Sequence, residues 1–389
     1  MSTTTFRPEP VRPTGRLRDV RQLMWWLFLV LLVVGVAGYL LMNISYALLA
    51  PQAFGIGVVF AILLAALLLW IISKLDVAGA PPTAAYVAVF AWGGLTATTL
   101  AVVANDNMIA VYDRIGLGSW AAALAAPTDE ETAKLLGVVV VLYLVRRIRP
   151  RPIDGLILGA VCGVGFEVVE NVLYAVQTAV ADPNSDVTSA LGTSVLRIVV
   201  GFGGHAIFAG CAGYGMAVAL GKPGLTAGKR VGTAFGMWAV AWILHSLWDS
   251  PVTFGLEGWQ SILVIPIKYG LMIVAFVLAY RAAARTEYEW LTTAFRGVPA
   301  DVVSPSDVHD LTSRSARHAA RARAREHGGP EAVHALKDVQ HAQLALADLL
   351  RDVPASSPIV ARQAAATVRL RAQAVASRAV PTASGLMLD

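Results

Sequence analysis

An all-α, polytopic transmembrane helical bundle of about eight spans, with a cytoplasmic helical tail at the C-terminal end, is the fold class this sequence predicts. Three observations predict it: the chain is too apolar for water, its apolar stretches have bilayer length, and its basic residues gather in alternate loops. Hydrophobic residues make up 56% of the 389 and charged residues only 15%, against about 25% charged in soluble domains. The mean hydropathy is +0.62. A formal charge of +5 is modest, and no nucleic-acid partner is expected. Cys162 and Cys211 both fall inside apolar stretches. They read as small packing residues and not as a disulfide framework.

A spanning helix needs about 20 mostly apolar residues. Eight stretches qualify, at 22–43, 54–74, 84–104, 128–146, 153–180, 196–221, 230–250 and 259–281. A mixed arm rich in Arg and Pro precedes the first, and no small-residue cleavage site follows it. It therefore reads as a retained helix and not a signal peptide. Arg12, Arg16, Arg18 and Arg21 precede span 1, Arg146, Arg147, Arg149 and Arg151 separate spans 4 and 5, and Lys222, Lys229 and Arg230 separate spans 6 and 7. Arg281 and Arg285 follow span 8. With eight spans all of these fall on one side, which the positive-inside rule makes the cytoplasm. The expected location is the cell membrane, with both termini cytoplasmic. The expected division is a basic arm at 1–21, a transmembrane domain at 22–285, and an Ala/Arg-rich tail at 286–389.

The tail is expected to form helices near 305–327, 331–352 and 358–378, broken by Gly328-Gly329-Pro330 and Pro354. Leu336, Val339, Leu344, Leu346, Leu349 and Leu350 give the middle one a partial apolar face. A small bundle, an arm that binds a cytoplasmic protein partner and a membrane-surface segment all fit. Its five histidines read as solvated helix positions.

Ionisable side chains at bilayer depth cost several kcal/mol, so each one raises a functional hypothesis. Thr128-Asp129-Glu130-Glu131-Thr132-Ala133-Lys134 opens span 4. The bland reading is a capping box from Thr128 to Glu131 and an i,i+4 ion pair from Glu130 to Lys134. Yet Glu130 lies 16 residues before Arg146, roughly 24 Å of helix, which pulls the glutamates below the outer surface of a core about 30 Å thick. In span 5, Glu167 and Glu170 share a helix face with Asn171 a turn beyond, and no Lys or Arg on that helix neutralises them. Two such carboxylates repel, one is expected to hold a proton, and general acid–base chemistry uses that arrangement. His205 in span 6 would be a packing residue on its own. In span 7, Asp249 stands i+4 from His245 and can orient its imidazole. Spans 4 to 7 thus place polar groups at one level in the outer part of the membrane.

Taken in order, Glu130-Glu131-x-x-Lys134, Phe166-Glu167-x-x-Glu170-Asn171, His205 and His245-x-x-Trp248-Asp249 resemble the successive motifs of PrsW-type intramembrane proteases. That family is distantly related to the CPBP group, which contains the CaaX prenyl-protein endopeptidases. The resemblance runs from about Thr128 to Arg281 and leaves spans 1 to 3 and the tail unmatched. It implies an endopeptidase that hydrolyses membrane-associated proteins, including regulators such as anti-sigma factors. It makes Glu130 and Glu131 the main catalytic candidates, with His205 and His245 completing the site. Glu167 and Glu170 are catalytic candidates with them, and Lys134, Asn171 and Asp249 support them. Two chemistries stay open: a glutamate-activated water with no cofactor, or a zinc ion held by His205, His245 and Glu170. There is no His-Glu-x-x-His pattern, and the metal-free version is favoured. The competing functions are a proton-coupled transporter, which lacks its usual internal repeat, and a non-catalytic scaffold with a working tail. The second would gain only about 0.6 kcal/mol per interhelical polar bond.

Overall fold

A computed structural model describes residues 15–75, 81–144, 150–222 and 224–377, and no strand occurs among them. The arm up to Thr14, and Arg146, Arg147 and Arg149, lie outside the described residues. The helices are α1 (Gly15–Leu49), α2 (Pro51–Ile72), α3 (Thr83–Ala91), α4 (Thr98–Arg114), α5 (Ala121–Leu144), α6 (Pro152–Ala181), α7 (Asp186–Val200), α8 (Gly204–Gly221), α9 (Ala227–Asp249) and α10 (Val264–Ala294). In the tail follow α11 (Pro305–Leu311), α12 (Arg314–Asp352) and α13 (Pro358–Ala376). Seven helical stretches among the described residues are long and apolar enough to cross a membrane. The eighth, α5, is 24 residues long; Asp129, Glu130, Glu131 and Lys134 make it too polar to qualify, but it packs against α4, α6, α8 and α9. The protein is a multi-pass, all-α membrane bundle.

Four expectations about the helices need correction. The third span continues past 104: α3, a π-helical segment Trp92–Ala97 and α4 form one stretch from Thr83 to Arg114. The fourth starts at Ala121 and not at Thr128, so Thr128 is inside the helix, where its hydroxyl donates to the Leu124 carbonyl at 2.7 Å and caps nothing. The sixth is two helices, because Gly203 takes a left-handed backbone (φ 68°) between α7 and α8; only glycine adopts that conformation without steric cost. In the tail, Ser313 caps a new helix at Arg314, so the expected 305–327 helix divides into α11 and the start of α12. The Gly328-Gly329-Pro330 breaker acts where expected, with Gly329 at φ 67° between the two limbs of α12.

Between membrane helices there is no hydrophobic drive, since lipid is as apolar as leucine, so close packing of small residues does the work. Gly155, Gly159 and Gly163 line one face of α6 against α8. A Cβ on Gly159 would stand 2.1 Å from the Ala209 carbonyl oxygen, and one on Gly163 would stand 2.1 Å from that of His205. These backbones approach only because no side chain separates them, and one of the approaches is at His205 itself. On the α7 face, by contrast, a Cβ on Gly192 meets nothing within 4 Å. Gly163→Ala is therefore expected to destabilise the detergent-solubilised protein by about 1–3 kcal/mol through overpacking. Gly192→Ala is expected to be neutral or to stabilise by up to about 1 kcal/mol through helix propensity. Thermal unfolding of both variants checks the contrast, and equal shifts would contradict it.

Candidate functional site

The site begins at a proline. Pro127 inside α5 has no N–H to give to the carbonyl four residues back, and that carbonyl, Ala123, accepts the Ser246 hydroxyl of α9 instead. One turn earlier on α9, the Trp242 indole N–H donates to Thr128 Oγ1 at 2.9 Å. These two bonds hold α9 on α5 and bring His245 to Glu131, with Nδ1 2.9 Å from Oε1. Asp249 stands on the other side of the ring, 3.3 Å from Nε2. The Asp249–His245 pairing expected from the i+4 spacing is present.

Gly203 sets the second histidine. Its N–H donates to Glu167 Oε1 at 2.9 Å, and the Tyr269 hydroxyl donates to the Phe202 carbonyl. The start of α8 is thereby fixed with His205 in its first turn. His205 Nδ1 is 3.0 Å from Lys134 Nζ and 3.7 Å from Glu130 Oε2, and its Nε2 is 2.8 Å from Glu170 Oε2. The two imidazoles lie 5.2 Å apart, nearly perpendicular, and Phe208 stacks on His245 at 4.7 Å.

Lys134 is completely buried at the centre of the cluster. Its ammonium is 2.6 Å from Glu131, 3.5 Å from Glu130 and 4.3 Å from the Phe166 ring centre. The nearer acid is thus Glu131 at i−3 and not the expected Glu130 at i−4. The Glu167–Glu170 pair also differs from expectation: a neutralising cation does reach it, from the neighbouring helix. Arg197 of α7 bonds Glu170 and Asn171 and lies 4.2 Å over the Tyr174 ring.

A cavity of about 460 Å³ opens onto this cluster. Glu130, Glu170, His205, His245, Asp249, Arg197 and Asn105 contribute to its wall, drawn from α4 to α9. Glu131 and Glu167 do not line it. Glu167 instead serves the α7–α8 break, and its Oε2 is buried without a hydrogen-bond partner.

Three polar residues escaped the sequence reading or were undervalued by it. Arg197 lay at a span edge. Asn105 stood one position beyond the expected third span; its Oδ1 is buried without a partner in the cavity wall. Lys268 is a lone lysine inside the eighth expected span, a signal for function on burial cost alone. Its ammonium donates to the carbonyls of Ser250 at 2.7 Å and Trp248 at 3.3 Å. Carbonyls at a helix end lack intrahelical donors, so Lys268 closes the end of α9 that carries His245 and Asp249.

Glu130, Glu131, His205 and His245 each offer one ligand atom, all within 4.8 Å of one another and all buried. Two imidazoles with carboxylates form a donor set that suits zinc, and Glu131 Oε2 is a buried carboxylate oxygen with no partner. The charge balance points the same way. Four carboxylates lie within 4 Å of an imidazole, namely Glu130, Glu131, Glu170 and Asp249, against two contacting cations, Lys134 and Arg197. Carboxylates thus outnumber cations around the imidazoles by two, an excess that a divalent ion would offset. The residues present therefore fit a metal ion.

Lys268→Met leaves the last carbonyls of α9 buried without donors, at about 1–3 kcal/mol. The expected result is a lower unfolding midpoint in detergent, recovered in part by Lys268→Arg. A midpoint unchanged in Lys268→Met would contradict the capping role.

Residues 81–280 match the model of the PrsW family intramembrane metalloprotease. No curated protein and no solved structure matches the chain.

Proposed function

Because the chain belongs to the PrsW family of intramembrane metalloproteases, we propose that its cavity, in the outer part of the bilayer, is where a membrane-anchored protein, such as an anti-sigma factor, is cut, with Glu130 as the base that activates water. Membership makes the protein an intramembrane protease in place of the transporter or scaffold. The observation that carries the residue assignment is the division of the acidic pair. Glu130 faces the cavity beside both imidazoles, whereas Glu131 is sealed behind it against Lys134. The placement proposed is the cell membrane, with both termini and residues 286–389 in the cytoplasm, as the basic loops require.

His205, His245 and Glu131 would hold the metal, three protein ligands that leave a position open. This set replaces Glu170 with Glu131, because Glu131 keeps a buried oxygen, Oε2, without a partner and groups with Glu130 and both histidines, whereas Glu170 is engaged by Arg197 and by His205 Nε2. That contact resembles the carboxylate–histidine pairing that fixes a ligand's ring orientation. When bound, the ion polarises a carbonyl and lowers the pKa of water. Glu130 takes the proton from the attacking water and returns it toward the leaving amine. Asp249 fixes the His245 ring. Arg197 places a cation at the cavity wall, where it neutralises Glu170 and attracts negative charge developing on the substrate carbonyl. Glu167 is a positioning residue: it accepts the Gly203 N–H and so sets the start of α8 and the place of His205.

Membrane-protein N-terminal profiling of cells making equal amounts of wild type, Glu130→Gln and Glu167→Gln tests this reading. New N-termini near the outer membrane face are expected with wild type, and they should fall by about 100- to 10,000-fold in Glu130→Gln. They should largely persist in Glu167→Gln, whose amide oxygen still accepts from Gly203. Unchanged cleavage in Glu130→Gln would refute the assignment. Metal content gives a second, activity-independent reading. About one divalent ion per chain is expected in purified wild type, with loss in His205→Ala and His245→Ala; a metal-free wild type of full activity would favour two protonated imidazoles as the balancing charges.

A further inference from the structure

Outside the membrane, α12 carries a basic stripe that the protease reading does not use. Arg314, His318, Arg321 and Arg325 stand at +4, +7 and +11 from the first, which at 3.6 residues per turn places them within an arc of about 60°. The second limb of α12 returns beyond the Gly329 break, where Arg321 Nε donates to Gln340 Oε1 at 2.8 Å. That return brings Lys337 and His341 beside the stripe. His318 and His341 are each held below the ordinary histidine value, by burial first and then by surrounding cations. Arg314, Arg321, Arg317 and Lys337 act on His318; Arg321, Arg317 and Lys337 act on His341, with Asp338 opposing them. Arg325 and Lys337 have no ion-pair partner among the described residues.

The stripe begins at the membrane edge. Arg314 Nη1 donates at 2.5 Å to the carbonyl of Ser73, the residue that caps the spanning helix α2. Next to it, the Lys74 ammonium lies 4.9 Å over the ring of Trp70, which is exposed on the lipid-facing side of α2. An exposed tryptophan with a lysine at the end of a span is the signature of the headgroup layer. We propose that Lys74, Arg314, Arg321, Arg325 and Lys337 bind the phosphates of anionic phospholipids in the leaflet where α2 ends, holding the tail against the bilayer. The positive field supplies the attraction, and continuity with Trp70 and Lys74 favours a lipid headgroup over a soluble anion. Each cation near an anionic surface contributes about fivefold in affinity.

The proposal does not depend on proteolysis and is tested on the full chain purified in detergent. Bound phosphatidylglycerol and phosphatidylcholine are titrated and counted by native mass spectrometry, for wild type and for Arg325→Gln/Lys337→Gln. Neither altered side chain has a partner to lose, so folding should be retained, as an unchanged thermal midpoint would verify. Wild type is expected to keep phosphatidylglycerol in preference to phosphatidylcholine, and the variant to bind it at least tenfold more weakly. Equal phosphatidylglycerol affinity in the two proteins would overturn the proposal. Displacement of the lipid by inorganic phosphate at equal concentration would also overturn it, by making the stripe a site for soluble anions.

Discussion

The buried ammonium of Lys134 is the constraint around which the membrane domain is arranged. An ammonium withdrawn from water costs several kcal/mol unless good partners surround it, and Lys134 is fully buried. Its partners are Glu130 and Glu131 from its own helix and His205 from α8. Those partners recruit further groups: Glu131 holds His245 of α9, and His205 holds Glu170 of α6, which holds Arg197 of α7. Five helices are thus tied into one polar network centred on the Lys134 ammonium. Any of these helices that shifted by a few ångströms would leave a buried charge without its counter-charge.

The network is possible only because the backbones come close enough. The glycines of α6 bring α8 to contact distance at His205, and the left-handed Gly203 turns the chain so that His205 faces inward. Pro127 contributes in the opposite sense, by leaving a carbonyl unused within α5 that α9 then occupies through Ser246. A helix-breaking residue and helix-weakening residues, costly in isolation, become the fittings of the site. The same economy separates the acidic residues by role, with Glu130 on the cavity wall, Glu131 behind it against the lysine, and Glu167 spent on the turn.

The fold was legible in the sequence where one-dimensional signals suffice. The existence of the apolar spans, the tail breaker at Gly328-Gly329-Pro330 and the i+4 relation of Asp249 to His245 are local, and the structure contains each of them, although three span boundaries moved. What could not be read were relations between helices. Thr128 has every mark of a helix cap, and only the tertiary bonds to Ala123 and Thr128 explain why α5 continues through Pro127. The division of the sixth span follows from one glycine among several, distinguished by its bond to Glu167 of another helix. Arg197 was legible as a charge near a span end, but its pairing with Glu170 spans 27 positions in the chain. Asn105 and Lys268 did carry a signal, a polar group at bilayer depth, and each lay in a span whose end or role had been judged on apolarity alone.

A double-mutant cycle between Lys134 and Glu131 tests the central claim most directly, with unfolding of the purified protein measured for Lys134→Met, Glu131→Gln and both together. Breaking a buried pair from one side costs about 3–5 kcal/mol, because the other charge is left uncompensated. If the lysine-centred network organises the bundle, each single variant loses about that much, and the double variant loses at least ~2 kcal/mol less than the two losses combined. Strictly additive losses, or single variants as stable as the wild type, would show that the helices are held in place by packing alone.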